Sequence, residues 1–194
     1  YVAIGCKYIA IPYLEEDMRP GRPGFARVLE AVPAIGRKCV EKGMTLLYHN
    51  HDFEFVRLDN GAYGLDHLYA TIPADLLQTQ LDTCWINVAG ESPVAYIKKY
   101  AGRCPLVHFK DFYMEGPKNG EPLYELIGLE EKKAARQGSF EFRPVGHGLQ
   151  DIPAILQATV ESGAEWIVVE QDNSVDRPAL DAAELSIRYL RSLS

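Results

Sequence analysis

Apolar positions along the chain fall into two alternating textures. Short runs rich in β-branched and aromatic side chains read as buried strands: Lys7–Tyr13 (KYIAIPY), Met44–His49 (MTLLYH), Pro105–Lys110 (PLVHFK) and Trp166–Glu170 (WIVVE). Leu77–Asp82 (LQTQLD) is more polar and takes a fifth strand position. Between the runs, apolar residues recur at helical spacing. Gly24–Lys42 puts Leu29, Val32, Ile35 and Cys39 on one face, and Gly43 supplies the stop. Ser92 before Pro93 predicts an N-cap with proline in the first turn, opening a helix to about Ala101. Asp151 can cap Ile152–Glu161, where Ile152, Ile155 and Leu156 share a face, and a last helix stripes Leu180, Ala183, Ile187 and Leu190.

Strand then helix, repeated at intervals of about thirty residues, is the pattern of parallel β/α architecture. Strands that are apolar throughout fit a parallel sheet covered on both faces. Phe112–Arg143 breaks the rhythm, being longer and rich in glycine, proline and charge. It is expected to be a loop excursion from a strand end, serving as a substrate lid, with a short helix near Leu126–Arg136. With 194 residues the chain is long enough for one core and too short for two ordinary α/β domains, so 1–194 reads as a single domain.

Composition narrows the class. No apolar run approaches the roughly 20 residues that span a bilayer, so no membrane partner is expected. Tyr1–Tyr13 has neither a basic n-region nor a small-residue cleavage site. The chain opens on Tyr1 rather than methionine, so a processed or truncated product is expected, with a cytoplasmic address and periplasmic export left open. Acidic residues outnumber basic ones 27 to 20, for a net charge of −7, and no dense Lys/Arg cluster stands out. Such a surface repels a phosphate backbone, which excludes nucleic acid as the expected partner. The cysteines Cys6, Cys39, Cys84 and Cys104 form no C-x-x-C pair, so they read as buried thiols rather than a zinc ribbon or a dithiol.

Each strand run ends in chemistry. The first leads into Glu15-Glu16-Asp17, and the others end in His49-Asn50-His51, Asp82, His108-Phe109-Lys110-Asp111 and Glu170-Gln171-Asp172. Alternation along a strand puts His49 with His51, Gln80 with Asp82, His108 with Lys110, and Glu170 with Asp172. In a parallel barrel such residues converge on one mouth. Two imidazoles and two carboxylates there are a credible ligand set for Mn²⁺, Co²⁺, Zn²⁺ or Mg²⁺, because enclosed carboxylates need a compensating cation or proton. Any one of them alone would more often be a cap or an ion-pair partner. The same character at four strand ends favours a site.

The ordered blocks LLYHNHDFEF (Leu46–Phe55), LDTCW (Leu81–Trp85), VHFKD (Val107–Asp111), VGHGLQDIPAIL (Val145–Leu156) and VVEQD (Val168–Asp172) resemble the xylose isomerase-like sugar phosphate isomerase/epimerase group. The resemblance covers nearly the whole chain. It implies an α/β fold, a TIM-type (β/α)8 barrel of which this chain carries about the last five units. It implies a divalent metal ion held by His49, Asp82, His108 and Glu170. Lys110 would face the substrate's oxygens, His51 would bind substrate or move a proton together with Glu170, and Trp85 would stack on a sugar ring or pack internally.

Two departures from the family pattern shape the expectation. Many members have a glutamate where this chain has His49, and pair it with the last-strand glutamate to move protons across adjacent sugar carbons. Many also have a histidine at the position of Trp85. The expected function is a metal-dependent sugar isomerase/epimerase acting on a small sugar through an enediolate. The alternative is a dehydratase or lyase of a keto-sugar or inosose on the same scaffold. A metal-dependent nuclease is disfavoured by the charge, and a sugar-binding or degenerate scaffold protein is the non-enzymatic alternative. A five-unit piece would leave sheet edges and apolar faces open, so either a longer protein or a homodimer is expected. His67 and His147 read as background residues.

Overall fold

The apolar runs do become strands, and each strand hands the chain to a helix. The computed structural model describes residues 1–115 and 139–193. Strands β1 (Tyr8–Ile11), β2 (Thr45–His49), β3 (Gln78–Asp82), β4 (Leu106–Phe109) and β7 (Trp166–Val169) lie side by side in that order as a parallel half-barrel sheet. Every neighbouring pair is parallel, so all five C-terminal ends open at one rim. The polar run Leu77–Asp82 is β3, in the middle of the sheet, with Leu77, Thr79 and Leu81 buried.

Helix α1 (Phe25–Glu41) follows β1, α2 (Gly64–Thr71) follows β2, and α3 (Thr83–Val88) and α4 (Pro93–Lys99) follow β3. Helix α5 (Ile152–Glu161) precedes β7 and α6 (Ala179–Ser192) follows it. The expected caps are present: Ser92 Oγ accepts from Ala95 N, and Asp151 Oδ1 from Ala154 N. Gly43 takes φ 70°, a conformation that β-carbon sterics make unfavourable for other residues.

Two helices present faces other than the expected ones. Helix α1 buries Phe25, Val28, Val32, Gly36 and Cys39 and turns Ile35 outward at 43 % exposure. The reason is backbone proximity: a β-carbon on Gly36 would overlap Leu76 O, so the helix is seated on its glycine. Helix α6 buries Ala182 and Ser186 and leaves Leu180 and Ile187 exposed. Ser186 Oγ accepts from Val145 N and donates to Ala182 O, so a satisfied hydroxyl sits where the stripe predicted aliphatic packing. Among the described residues strand β7 has one neighbour, and Trp166 and Val168 are exposed along it, as expected of a sheet with open edges.

The segment expected as a loop between β4 and α5 begins and ends as paired strand. β5 (Asp111–Glu115) and β6 (Ser139–Arg143) form an antiparallel ribbon rising from the rim. Phe112, Phe140 and Phe142 pack with Cys84 and Trp85 in a second apolar cluster below it. The expected helix at Leu126–Arg136 lies outside the described residues. No helix of the described residues is long and apolar enough to cross a membrane.

Candidate metal centre

Four donors meet at the rim. His49 closes β2, Asp82 closes β3, His108 stands on β4, and Glu170 follows the last residue of β7. One ligand atom from each lies within 4.8 Å of the others. The convergence follows from the parallel registers, which set Asp82 beside His108 and His49 beside Gln80. Side-chain alternation does the rest.

The surroundings are dry and charged. Asp82 is fully buried; its Oδ1 caps α3 by accepting from Cys84 N at 2.8 Å and Trp85 N at 3.1 Å. Its Oδ2 is buried with no hydrogen-bond partner, 3.9 Å from His49 Nε2 and 4.0 Å from Lys110 Nζ. Burial pushes the Asp82 carboxyl up to about 7, against the pull of Lys110. His108 Nδ1 is in close contact with Glu170 Oε2. Burial alone would raise Glu170, but the His108 contact and the Lys110 charge hold it well below the usual carboxylate range. Burial, followed by the His108 charge, pushes His49 down to about 3, and burial likewise pushes His51 down to about 2. Both imidazoles are therefore neutral near pH 7, and for His49 that is the state in which an imidazole binds a metal.

The donor set fits a divalent ion. An orphaned, buried carboxylate oxygen is expensive without a cation or donor, and Asp82 Oδ2 belongs to the cluster formed with His49, His108 and Glu170. His49 Nδ1 is also buried without a hydrogen-bond partner. Such a mixture of nitrogen and oxygen donors suits borderline-to-hard ions.

Lys110 is the cation already present. It is 1 % exposed and reaches Asp172 Oδ2 at 2.6 Å, Glu170 Oε1 at 3.4 Å and Asp82 Oδ2 at 4.0 Å. Burial alone would lower its pKa, but the three carboxylates raise it above the ordinary lysine value. It stays charged. Its ammonium also lies 5.1 Å from the Trp85 ring and 4.9 Å from that of Phe142.

Above the cluster a cavity of about 300 Å³ is bounded by His49, His51, His108, Lys110 and Glu170, with Pro12, Tyr13, Gln80 and Asp172 completing its wall. His51 and Lys110 both line it. Trp85 does not: it is fully buried, 5.3 Å from the His51 ring and 6.3 Å from Phe142, so its role here is packing. His67 packs near Phe25 and exposed His147 near Tyr189, both away from the cavity.

Several residues that shape the site carried no sequence assignment. Tyr13 meets the His51 ring edge-on at 5.2 Å, while Phe53 stacks on it at 5.4 Å. Arg19 fixes both rings: its guanidinium lies 5.0 Å from Tyr13 and 4.4 Å from Phe53, and its Nε donates to Leu14 O. Glu54, fully buried, accepts from Tyr48 Oη at 2.6 Å and from His51 N at 2.8 Å. Asp111 accepts four backbone N–H groups, from Phe112, Gly146, Gly148 and Gln150, and so folds the Val145–Gly148 turn against the base of the ribbon. The one available signal was the spacing of Glu54 from His51, which matches a carboxylate folding back over a tight turn.

Known proteins share this arrangement of elements. Residues 2–193 match the family model described as xylose isomerase-like TIM barrel. An inosose dehydratase from Clostridium beijerinckii is 32 % identical over 150 residues, which are 74 % of this chain and 46 % of that protein. A crystal structure of a sugar phosphate isomerase/epimerase from Parabacteroides distasonis superposes with a TM-score of 0.74 at 20 % identity, over 98 % of this chain and 59 % of that one. An L-ribulose 3-epimerase superposes with a TM-score of 0.67 at 15 % identity, over 99 % of this chain and 62 % of that one. The chain spans about half the length of the curated relatives it matches. A match running almost from end to end, on a parallel half-barrel whose rim gathers the donors, means that this chain belongs to the xylose isomerase-like TIM barrel family.

Proposed function

We propose that this chain carries the metal-binding half of a sugar-modifying enzyme that dehydrates an inosose-like cyclic keto-polyol. The observation that carries the reading is the composition of the rim: His49, Asp82, His108 and Glu170 within one ion's reach, beside a buried lysine that faces three carboxylates. The isomerase/epimerase expectation came first from the sequence, and the dehydratase second. Relatives named inosose dehydratase at 30 to 32 % identity reverse that order. His49 supports the reversal, because an imidazole there leaves Glu170 as the one glutamate among the four candidate ligands, where two-sided epimerisation calls for a pair.

His49, Asp82, His108 and Glu170 would hold a divalent ion, and its Lewis acidity would polarise a substrate carbonyl and acidify the neighbouring C–H. Glu170, ionised and partly open to the cavity, is positioned to take that proton. The C–H electron pair becomes the new C=C bond, the adjacent C–O bond breaks, and the departing hydroxide takes the proton back from Glu170 as water. Lys110 stabilises negative charge developing on the substrate oxygen without giving up its own proton, since three carboxylates hold it charged. His51, neutral and lining the wall, offers a hydrogen bond to a substrate hydroxyl.

The test is incubation of the Mn²⁺-loaded protein with an inosose and a panel of keto-sugars in D₂O. A product lighter by one water, lost in the Glu170→Gln protein, supports dehydration. An unchanged formula with one carbon-bound deuterium and inverted configuration would instead establish epimerisation. No conversion of any polyol ketone would favour a binding protein.

A further inference from the structure

The candidate ligands stand on neighbouring strands just where the sheet's backbone pairing runs out. The β2–β3 ladder ends at His49 opposite Gln80, two residues short of Asp82. Asp82 N therefore has no rung on β2, and the Asn50 side chain supplies one: Oδ1 accepts from Asp82 N at 3.0 Å, while Nδ2 donates to His51 O at 3.3 Å. The β3–β4 ladder ends at Asp82 opposite His108. A further parallel residue facing Phe109 would bond through its N–H to the carbonyl of 108 and through its C=O to the N–H of 110. Thr83 occupies that place, but its backbone has already turned into α3. Its hydroxyl makes both bonds instead, donating to His108 O at 3.1 Å and accepting from Lys110 N at 3.3 Å.

Asn50 and Thr83 are both fully buried and each directly follows a candidate ligand in the chain. Neither lines the cavity. Alternation explains this: a residue one step past an inward-facing ligand turns its side chain away from the mouth and towards the neighbouring strand.

We propose that Asn50 and Thr83 are positioning residues whose side chains replace missing ladder rungs and thereby fix the spacing of His49, Asp82 and His108 at the rim. The inference rests on the metal reading above and deepens it, because it assigns the precision of the site to groups that touch neither ion nor substrate. Removing such an outer support typically weakens metal affinity by about 10- to 100-fold. Thr83→Val keeps the shape and deletes the hydroxyl. Thr83→Ser keeps the hydroxyl. Thr159→Val is the control, since the buried Thr159 hydroxyl makes the same kind of bond, to Ile155 O at 2.8 Å, on α5.

The experiment is calorimetric titration of Mn²⁺ into the wild-type chain and the variants, with thermal melting of each metal-free protein. Thr83→Val and Asn50→Leu are expected to bind about 10-fold or more weakly, Thr83→Ser within about twofold of wild type, and Thr159→Val unchanged although it melts lower. If Thr83→Val does not fold, the Ser variant still decides: a tenfold loss with the hydroxyl retained overturns the proposal. Wild-type affinity in Thr83→Val and Asn50→Leu overturns it while leaving the metal reading intact, as does an equal loss in Thr159→Val. No Mn²⁺ binding by the wild-type chain overturns the metal reading and the proposal together.

Discussion

Glu54→Gln exposes how the buried turn after β2 handles charge. The carboxyl is fully buried, receives Tyr48 Oη and His51 N, and is pushed by that burial from an ordinary 4.5 up to about 8. Between those two values the folded chain keeps a proton that the unfolded chain releases. Stability therefore falls as pH rises through the window, by up to about 1.4 kcal/mol per pH unit, and levels off above it. From about pH 5 to about pH 8 the loss is on the order of 4 kcal/mol, a large part of a typical domain's stability. Glutamine mimics the protonated form, accepting from His51 N and donating to Tyr48 Oη, and it cannot ionise. Urea unfolding of both proteins across that range measures the effect. The difference between them cancels the other titrating groups: Asp82, raised to about 7, destabilises in the same direction, and His49 and His51, lowered to about 3 and about 2, act below the normal imidazole range. The glutamine protein should gain on wild type steadily with rising pH. Two parallel curves would refute the assignment of a protonated, buried Glu54.

Other substitutions have defined outcomes. Lys110→Met leaves Asp82, Glu170 and Asp172 facing one another without their cation, which should cost about 3–5 kcal/mol. At about 2–4 °C per kcal/mol for a chain of this size, that is a fall in melting temperature of roughly 6–20 °C by calorimetry, partly restored by Mn²⁺. Gly148→Ala would drive a β-carbon into Asp111 Oδ1 and Phe112 O, loosening the turn onto the ribbon by about 1–3 kcal/mol in urea unfolding. Ser92→Ala removes the α4 cap and should cost about 1 kcal/mol by the same assay while Mn²⁺ affinity stays put.

The rim was readable because its residues break a strong rule. His49, His108 and Glu170 sit at the ends of strongly apolar strand runs, where polar side chains need a reason, and strand alternation already paired the groups that meet. The middle strand, Gln78–Asp82, was harder, since a strand ending in a site trades apolar for polar side chains. What stayed hidden depends on register and close approach. Ile35 looked like core until Gly36 proved to be the contact point with Leu76. Leu180 and Ile187 looked like the inner stripe of α6, but a serine satisfied by Val145 N sets that helix's rotation. Trp85 could have faced a sugar ring; the ribbon's Phe142 and the Lys110 ammonium cover it instead. Asn50 and Thr83 carried no sequence assignment, because the bonds their side chains make are visible only once the ladders are seen to stop short.

Anomalous diffraction from crystals of the protein soaked in Mn²⁺ asks whether separate strands share one ion. A single peak about 2.0–2.3 Å from a donor atom of each of His49, Asp82, His108 and Glu170 is the predicted result. No peak at the rim, or a peak held by other residues while these four keep to themselves, would contradict it.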